Sequence, residues 1–150
     1  MDKTIQIRRL GQHDSRVFCK LIQLFQEVFE TGSFLKADEI YLKQLLAKPD
    51  FIVYAILIED EIVGGLTAYE LANYYAVGAE VFIYDIAVRP VFQRKGFGKQ
   101  LLSALKKHCK QNGINIMFVA ANEEDRHALD FYRSSNGREE KVIHFNYTCN

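Results

Sequence analysis

The sequence predicts an α/β fold, a mixed and mostly antiparallel sheet with helices on both faces. Two observations carry this. Segments with apolar residues at three- and four-residue spacing alternate along the chain with short β-rich apolar runs. A strand–helix–strand passage over 81–120 implies a parallel pair, and the strands before it suit an antiparallel meander. A length of 150 residues sets the expectation of one domain, 1–150.

Taken in order, Ile5, Ile7 and Arg9/Leu10 suggest a short first strand. In Ser15–Glu30 the residues Phe18, Leu21, Ile22, Phe25, Val28 and Phe29 recur at helical spacing. Thr31–Lys36 reads as a loop containing Gly32. A second helix is expected over about Asp38–Lys48, with Ile40, Leu42, Leu45 and Leu46 apolar and Pro49 ending it. Phe51–Ile58 and Ile62–Glu70 flank Glu59-Asp60-Glu61 and read as a hairpin. Asn73–Gly78 is a loop, and Val81–Val88 is a strand stopped by Pro90. Phe97–Gln111 is a helix with Leu101, Leu102, Leu105 and His108 on one face and Asn112-Gly113 as its stop. Ile114–Ala120 is expected as a strand, Glu124–Ser134 as a helix and Glu140–Tyr147 as a last strand.

Charged residues are 25% of the chain and hydrophobic residues 49%, which excludes a disordered or low-complexity chain. Lys plus Arg and Asp plus Glu are 19 each, a zero balance that argues against a nucleic-acid partner. The zero is uneven along the chain. Residues 1–88 hold 8 basic and 13 acidic side chains, residues 89–111 hold 7 basic and no acidic ones, and residues 112–150 hold 4 and 6. Cys19, Cys109 and Cys149 form no CxxC spacing, which fits unconnected thiols in a reducing cytoplasm. The first ten residues are too polar for a signal peptide, and Phe51–Ile58 is too short to span a bilayer, so no membrane partner is expected. His13, His127 and His144 lack metal-ligand spacing, so no metal is expected. His108 on an apolar helix face fits a satisfied core histidine.

The segment that carries chemistry lies between the strand Val81–Val88 and the helix after it: Gln93-Arg94-Lys95-Gly96-Phe97-Gly98-Lys99. Two glycines one residue apart let the backbone approach a ligand. The first turn of the helix offers N–H groups without intrahelical acceptors and a partial positive charge. Arg94, Lys95 and Lys99 add full charges, and no acidic residue occurs from Val88 to Asn122. Together these make a cradle for a pyrophosphate. A Walker loop needs GxxxxGK[ST] and a dinucleotide loop needs GxGxxG, and Gly96, Gly98 and Leu101 satisfy neither.

Gln93, Gly96 and Gly98 do match Q/R-x-x-G-x-G/A. On that match the chain resembles the GNAT superfamily of N-acetyltransferases, whose motif binds the pyrophosphate of acyl-coenzyme A. The strand end Asp85-Ile86-Ala87-Val88-Arg89-Pro90 and the stretch Ala128-Leu129-Asp130-Phe131-Tyr132 followed by Gly137 resemble the same family. Within it, Ile83–Val88, Gly137–Glu140 and Val142–Phe145 are similar to the aminoglycoside 3-N-acetyltransferases, enzymes of antibiotic resistance.

The resemblance implies a GNAT acyl-CoA N-acyltransferase fold and direct transfer of an acetyl group from acetyl-CoA to a primary amine. The expected acceptor is a small cationic molecule, best the 3-amino group of an aminoglycoside. Main-chain groups of Ile86 and Val88 would bond the pantetheine arm, the Val88 N–H would polarise the thioester carbonyl, and Gln93, Arg94, Lys95, Gly96, Phe97, Gly98 and Lys99 would hold the pyrophosphate. Asp125 stands where the family often has an Asn that contacts the cofactor, and Tyr132 is the expected general acid for the leaving thiolate.

Asp85, charged in the middle of an apolar strand, must be paired or face a cleft, and is the candidate to orient the amine. Phe82 stands near the place of the glutamate base of histone-type members, which weakens that reading. Glu30 and Glu140 are candidates for an acceptor rim, and Tyr69, Tyr74 and Tyr75 for lining the acceptor side. A homodimer is what the resemblance suggests. The alternatives are another small amine or a protein amino group as acceptor, or a non-catalytic module that binds acyl-CoA.

Overall fold

The protein is described here by a computed structural model, which describes residues 3–32 and 36–150. Residues 33–35 of the loop expected over Thr31–Lys36 lie outside the described residues. The chain packs as two compact units, Met1–Ala120 and Ala121–Asn150.

The first unit holds a five-stranded sheet in the order β1-β2-β3-β4-β5. Its strands are β1 (Ile5–Arg9), β2 (Phe51–Ile58), β3 (Glu61–Ala72), β4 (Ala79–Val88) and β5 (Met117–Val119). The first four pair antiparallel, and β4 pairs with β5 in parallel. Helices α1 (Ser15–Phe29) and α2 (Glu39–Leu46) precede β2, and α3 (Phe97–Gln111) links β4 to β5.

Strand β2 shows why the sheet needs helices on both sides. Phe51, Val53, Ala55 and Leu57 pack with Phe18, Leu21, Leu24 and Phe25 of α1 and Leu42 and Leu46 of α2. Ile52 and Ile56 point the other way, into a cluster with Leu101, Leu105 and Cys109 of α3. Successive side chains of a strand alternate faces, so a strand covered on both faces reads as one apolar run. The β2–β3 turn is tight because Glu59 and Asp60 both take left-handed backbone angles, φ 50° and 69°, which suits the twist of a two-residue hairpin. Asp38 starts α2 by accepting from the N–H groups of Ile40 and Tyr41. His108 of α3 bonds Glu70 of β3, Nε2 to Oε1 at 2.6 Å, so it is satisfied as expected but partly buried at the sheet's flank and not in the core.

The second unit is built on α4 (Arg126–Ser134). Asp125 caps it by accepting from the Ala128 N–H at 3.1 Å. The last strand expected over Glu140–Tyr147 does not form: residues 137–150 carry neither helix nor strand. Val142, Ile143, Phe145 and Tyr147 are all more than 70% exposed, and an apolar alternation becomes a strand only where a neighbour supplies the hydrogen-bond ladder. The strand expected over Ile114–Ala120 shrinks to Met117–Val119, because β4 pairs with it only from Val81 to Ile83. Among the described residues no helix is long and apolar enough to cross a membrane.

Candidate active site

Strand β4 is the spine of the site, and one irregularity sets its geometry. In the register against β3, Thr67 lies opposite Asp85 and Ala68 opposite Ile83, so Tyr84 is an extra residue on β4. This is a β-bulge. Before it, Val81 and Ile83 face the α3 side, and after it Val88, with Ile86 packed against the same cluster, faces that side while Ala87 faces the α1–α2 side. The alternation therefore changes phase at the bulge. Tyr84 and Asp85 both end up lining one cavity of about 380 Å3.

That cavity lies between the sheet and helices α1 and α2. Phe18, Ile22, Phe25 and Phe29 of α1, Leu42 and Leu45 of α2, and Phe51, Tyr69 and Tyr84 of the sheet give it apolar and aromatic walls. Its polar groups come from Gln26, Thr31, Thr67 and Asp85 and from the two tyrosine hydroxyls. Among the described residues Asp85 is its one carboxylate. Burial pushes the Asp85 carboxyl above its ordinary value. Tyr69 is likewise raised, first by burial and then by Tyr84, Tyr41 and Asp85, so it stays a neutral phenol at physiological pH. The rings run edge to face, Tyr69 to Tyr84 at 6.0 Å between centroids. A partly desolvated carboxylate among aromatic faces suits a cation.

On the other side of β4 the strand outruns its partner. Pairing with β5 stops at Ile83, and residues 84–88 continue beyond it. The Arg89 N–H donates to the Val63 carbonyl of β3 at 2.8 Å. Alternation then turns Ala87 toward β3 and the main-chain groups of Ile86 and Val88 toward the open side. The Val88 carbonyl there accepts from Gln93 Nε2 at 2.9 Å, so the Gln93 side chain braces the turn from inside the protein. Asp85 stands one residue from Ile86 and three from Val88, a span of roughly 10 Å at strand rise.

The turn itself runs through a short 3₁₀ segment, Pro90–Phe92, into α3. Arg94 and Gly96 both adopt left-handed backbone angles, φ 61° and 84°. Nothing lies within 4 Å of where a Cβ at Gly96 would sit, so the backbone angle alone favours glycine there. Two left-handed residues in three bend the backbone sharply into the first turn of α3, whose N–H groups lack intrahelical acceptors. Phe97 is buried against α3's core and meets Phe92 edge to face at 6.4 Å, while Lys95 Nζ lies 5.5 Å from the Phe92 ring. Arg94, Lys95 and Lys99 are exposed, and Gly98 is partly exposed. Arg89 is spent elsewhere: it pairs with Glu27 of α1 at 2.7 Å and donates to the Ile62 carbonyl.

Glu30 caps α1 with a left-handed φ of 51° and is exposed; Phe29 and Thr31 on either side of it line the cavity, but Glu30 does not. Of the three tyrosines named for the acceptor side, Tyr69 lines the cavity, whereas Tyr74 and Tyr75 sit exposed on the β3–β4 loop, hydroxyl to hydroxyl at 3.0 Å. In the second unit, Tyr132 is partly buried and stacks on Phe131 at 5.3 Å. Its carbonyl accepts from Gly137 N–H at 2.8 Å, and a Cβ at Gly137 would come within 2.9 Å of that oxygen. This explains why a glycine follows the A-x-x-F-Y stretch. Glu140 is exposed beside Arg138 at 3.9 Å. Asp125 uses its carboxylate as the α4 cap. Thr67 and Tyr84 carry no site signal in the sequence, and Phe25 and Phe29 read there only as one face of a helix. Only the three-dimensional cavity reveals them.

Comparison with known proteins places these features in a family. The acetyltransferase (GNAT) family model matches residues 18–137. The uncharacterized N-acetyltransferase YhfO of Bacillus subtilis (strain 168) is 25% identical over 146 residues, covering 97% of each chain. Two crystal structures of an aminoglycoside acetyltransferase, meta-AAC0020, from an uncultured soil metagenomic sample superpose with a TM-score of 0.94 and cover 97% of both chains. One is in complex with trehalose at 42% identity, the other in complex with sisomicin at 41%. The five-stranded mixed sheet and four helices of the described residues are the GNAT fold. The chain belongs to the GNAT acetyltransferase family and is an acyltransferase.

Proposed function

We propose that this acetyltransferase moves the acetyl group of acetyl-CoA directly onto an amino group of an aminoglycoside, the 3-amino group first. The observation that carries the reading is the pairing on β4 of a cavity-facing carboxylate, Asp85, with main-chain groups of Ile86 and the Val88 N–H turned to the strand edge that β5 leaves unpaired. An amine held by Asp85 and a thioester held along 86–88 would meet across one strand, which is the positioning that direct transfer needs. The likeness to meta-AAC0020, whose structure includes sisomicin, supports the aminoglycoside class.

In this reading the pantetheine arm lies along Ile86–Val88 as an added strand, and the Val88 N–H polarises the thioester carbonyl. The turn at Arg94–Gly96 and the first turn of α3 hold the pyrophosphate, with Arg94, Lys95 and Lys99 adding charge and Phe97 anchoring the turn. Asp85 orients the acceptor ammonium and draws its proton. At an ordinary carboxylate pKa near ~3.9 against an ammonium near ~8, that transfer is uphill by over ~5 kcal/mol. Burial of Asp85 narrows the gap. Tyr132 donates to the leaving thiolate, a step uphill by only about 2 kcal/mol from a phenol near ~10 to a thiol near ~8.5. Asp125, whose Oδ1 caps α4, contacts the cofactor, and Glu30 and Glu140 attract the polycation from a distance. A homodimer and a cytoplasmic location accompany this reading.

A second reading, another small primary amine as acceptor, draws on the cavity wall. Among the described residues the wall carries one carboxylate, set among aromatic and aliphatic side chains, which fits a monocation with an apolar flank. A thiol-release assay with acetyl-CoA across aminoglycosides, polyamines, aryl-alkyl amines and peptides tests both. Turnover with aminoglycosides alone supports the first reading, turnover with apolar amines alone supports the second, and no turnover with any amine refutes both.

A further inference from the structure

The bulge in β4 needs an explanation, because it alone puts Asp85 in the cavity. In an unbroken ladder side chains alternate strictly, so with Tyr84 on the cavity side Asp85 would point into the α3 core. Bulging removes a main-chain partner as well as changing the phase. The Asp85 N–H donates at 3.2 Å to the side-chain oxygen of Thr67, the residue opposite it on β3. A partly buried N–H left without an acceptor is costly, so this bond favours the bulge over a regular ladder that would leave the Thr67 hydroxyl out of reach. Thr67 is itself buried at 7% exposure and lines the same cavity. Its β-branched side chain has few rotamers, which keeps the oxygen in place.

We propose that Thr67 is a positioning residue for acetyl transfer: its hydroxyl oxygen holds the β4 bulge open and thereby aims the Asp85 carboxyl into the acceptor cavity. The proposal rests on the reading of Asp85 as the group that handles the amine. Around Asp85 the other titratable groups of the lining are Tyr69 of β3 and Tyr84 of β4, while α1 and α2 present apolar side chains and Gln26.

The test compares Thr67→Val, which keeps the shape but loses the acceptor, with Thr67→Ser, which keeps the oxygen. In Thr67→Val, kcat/KM for the amine falls about tenfold while KM for acetyl-CoA is unchanged; Thr67→Ser stays within about twofold of the wild type. In an Asp85→Asn background Thr67→Val adds no further loss. Carbon NMR of the Asp85 carboxyl gives a readout independent of turnover: in Thr67→Val its titration midpoint rises further as the side chain turns from the cavity toward the apolar α3 cluster. If Thr67→Val does not fold, Thr67→Ala carries the same expectations. Wild-type kcat/KM and an unmoved midpoint in the Val variant, or a Ser variant as impaired as Val, overturn the positioning role. A fully active Asp85→Asn variant overturns instead the reading of Asp85, whatever Thr67 does.

Discussion

Replacing Asp85 by Asn separates function from folding in an unusual direction. The substitution keeps the shape of the side chain in the cavity and removes its charge. A hydrogen bond to a charged partner is worth about 1.5–3 kcal/mol, so losing the carboxylate–ammonium contact lowers kcat/KM for the amine by roughly ten- to a hundredfold. Folding responds the other way. Burial raises the Asp85 carboxyl pKa in the folded protein, so the folded state binds its proton more readily than the unfolded chain does. The ionised group therefore costs stability at neutral pH, and that cost disappears as pH falls through the raised folded pKa. Asp85→Asn never bears it, so the variant melts at or above the wild-type Tm at pH 7, and the difference closes in acid. The assay pairs thiol release under varied amine with thermal melts across pH. The wild-type kcat/KM profile shows an acid limb above the ordinary carboxylate range, and the variant lacks it. An inactive variant that also melts well below the wild type, or a variant with undiminished kcat/KM, refutes the reasoning.

Other expectations follow from separate parts of the molecule. Tyr132→Phe lowers kcat about a hundredfold with KM for acetyl-CoA nearly unchanged, measured by steady-state kinetics; unchanged kcat removes Tyr132 as the acid. Gly96→Ala forces a Cβ onto a backbone at φ 84°, costing about 1 kcal/mol and weakening acetyl-CoA binding in calorimetry. Gly113→Ala, at φ 67° with similarly open space, costs comparable stability but leaves that affinity intact. Asp14 accepts from Arg8 and from the Gly11 N–H, each at 2.8 Å. Burial raises its pKa, but these two partners outweigh burial and hold it below its ordinary value. Asp14→Asn thus loses about 2 kcal/mol at neutral pH, and melts show the deficit shrinking as pH falls through the depressed folded pKa.

The parts of this chain that were legible in sequence are those set by local chemistry. Phe51–Ile58 and Phe97–Gln111 end where expected, because one run is apolar throughout between a Pro-Asp stop and an acidic turn, and the other carries a glycine entry and an Asn-Gly exit. The left-handed glycine of the loop and the strand before it were equally visible. What escaped was set by pairing between distant segments. Val142 to Tyr147 alternates like a strand but has no ladder to join, and β5 is cut short where β4 leaves it. Thr67 carries no local signal either, since a bulge belongs to the register of two strands and Thr67 lies 18 residues from the N–H it accepts. The cavity walls gather α1, α2 and three strands, and no single segment announces them.

The proposed chemistry is tested most directly by incubating the protein with acetyl-CoA and an aminoglycoside such as sisomicin and identifying the product by mass spectrometry and NMR. Transfer predicts one acetyl group on an amino nitrogen, with an equal amount of coenzyme A released. Bound acetyl-CoA with an unmodified aminoglycoside would contradict it.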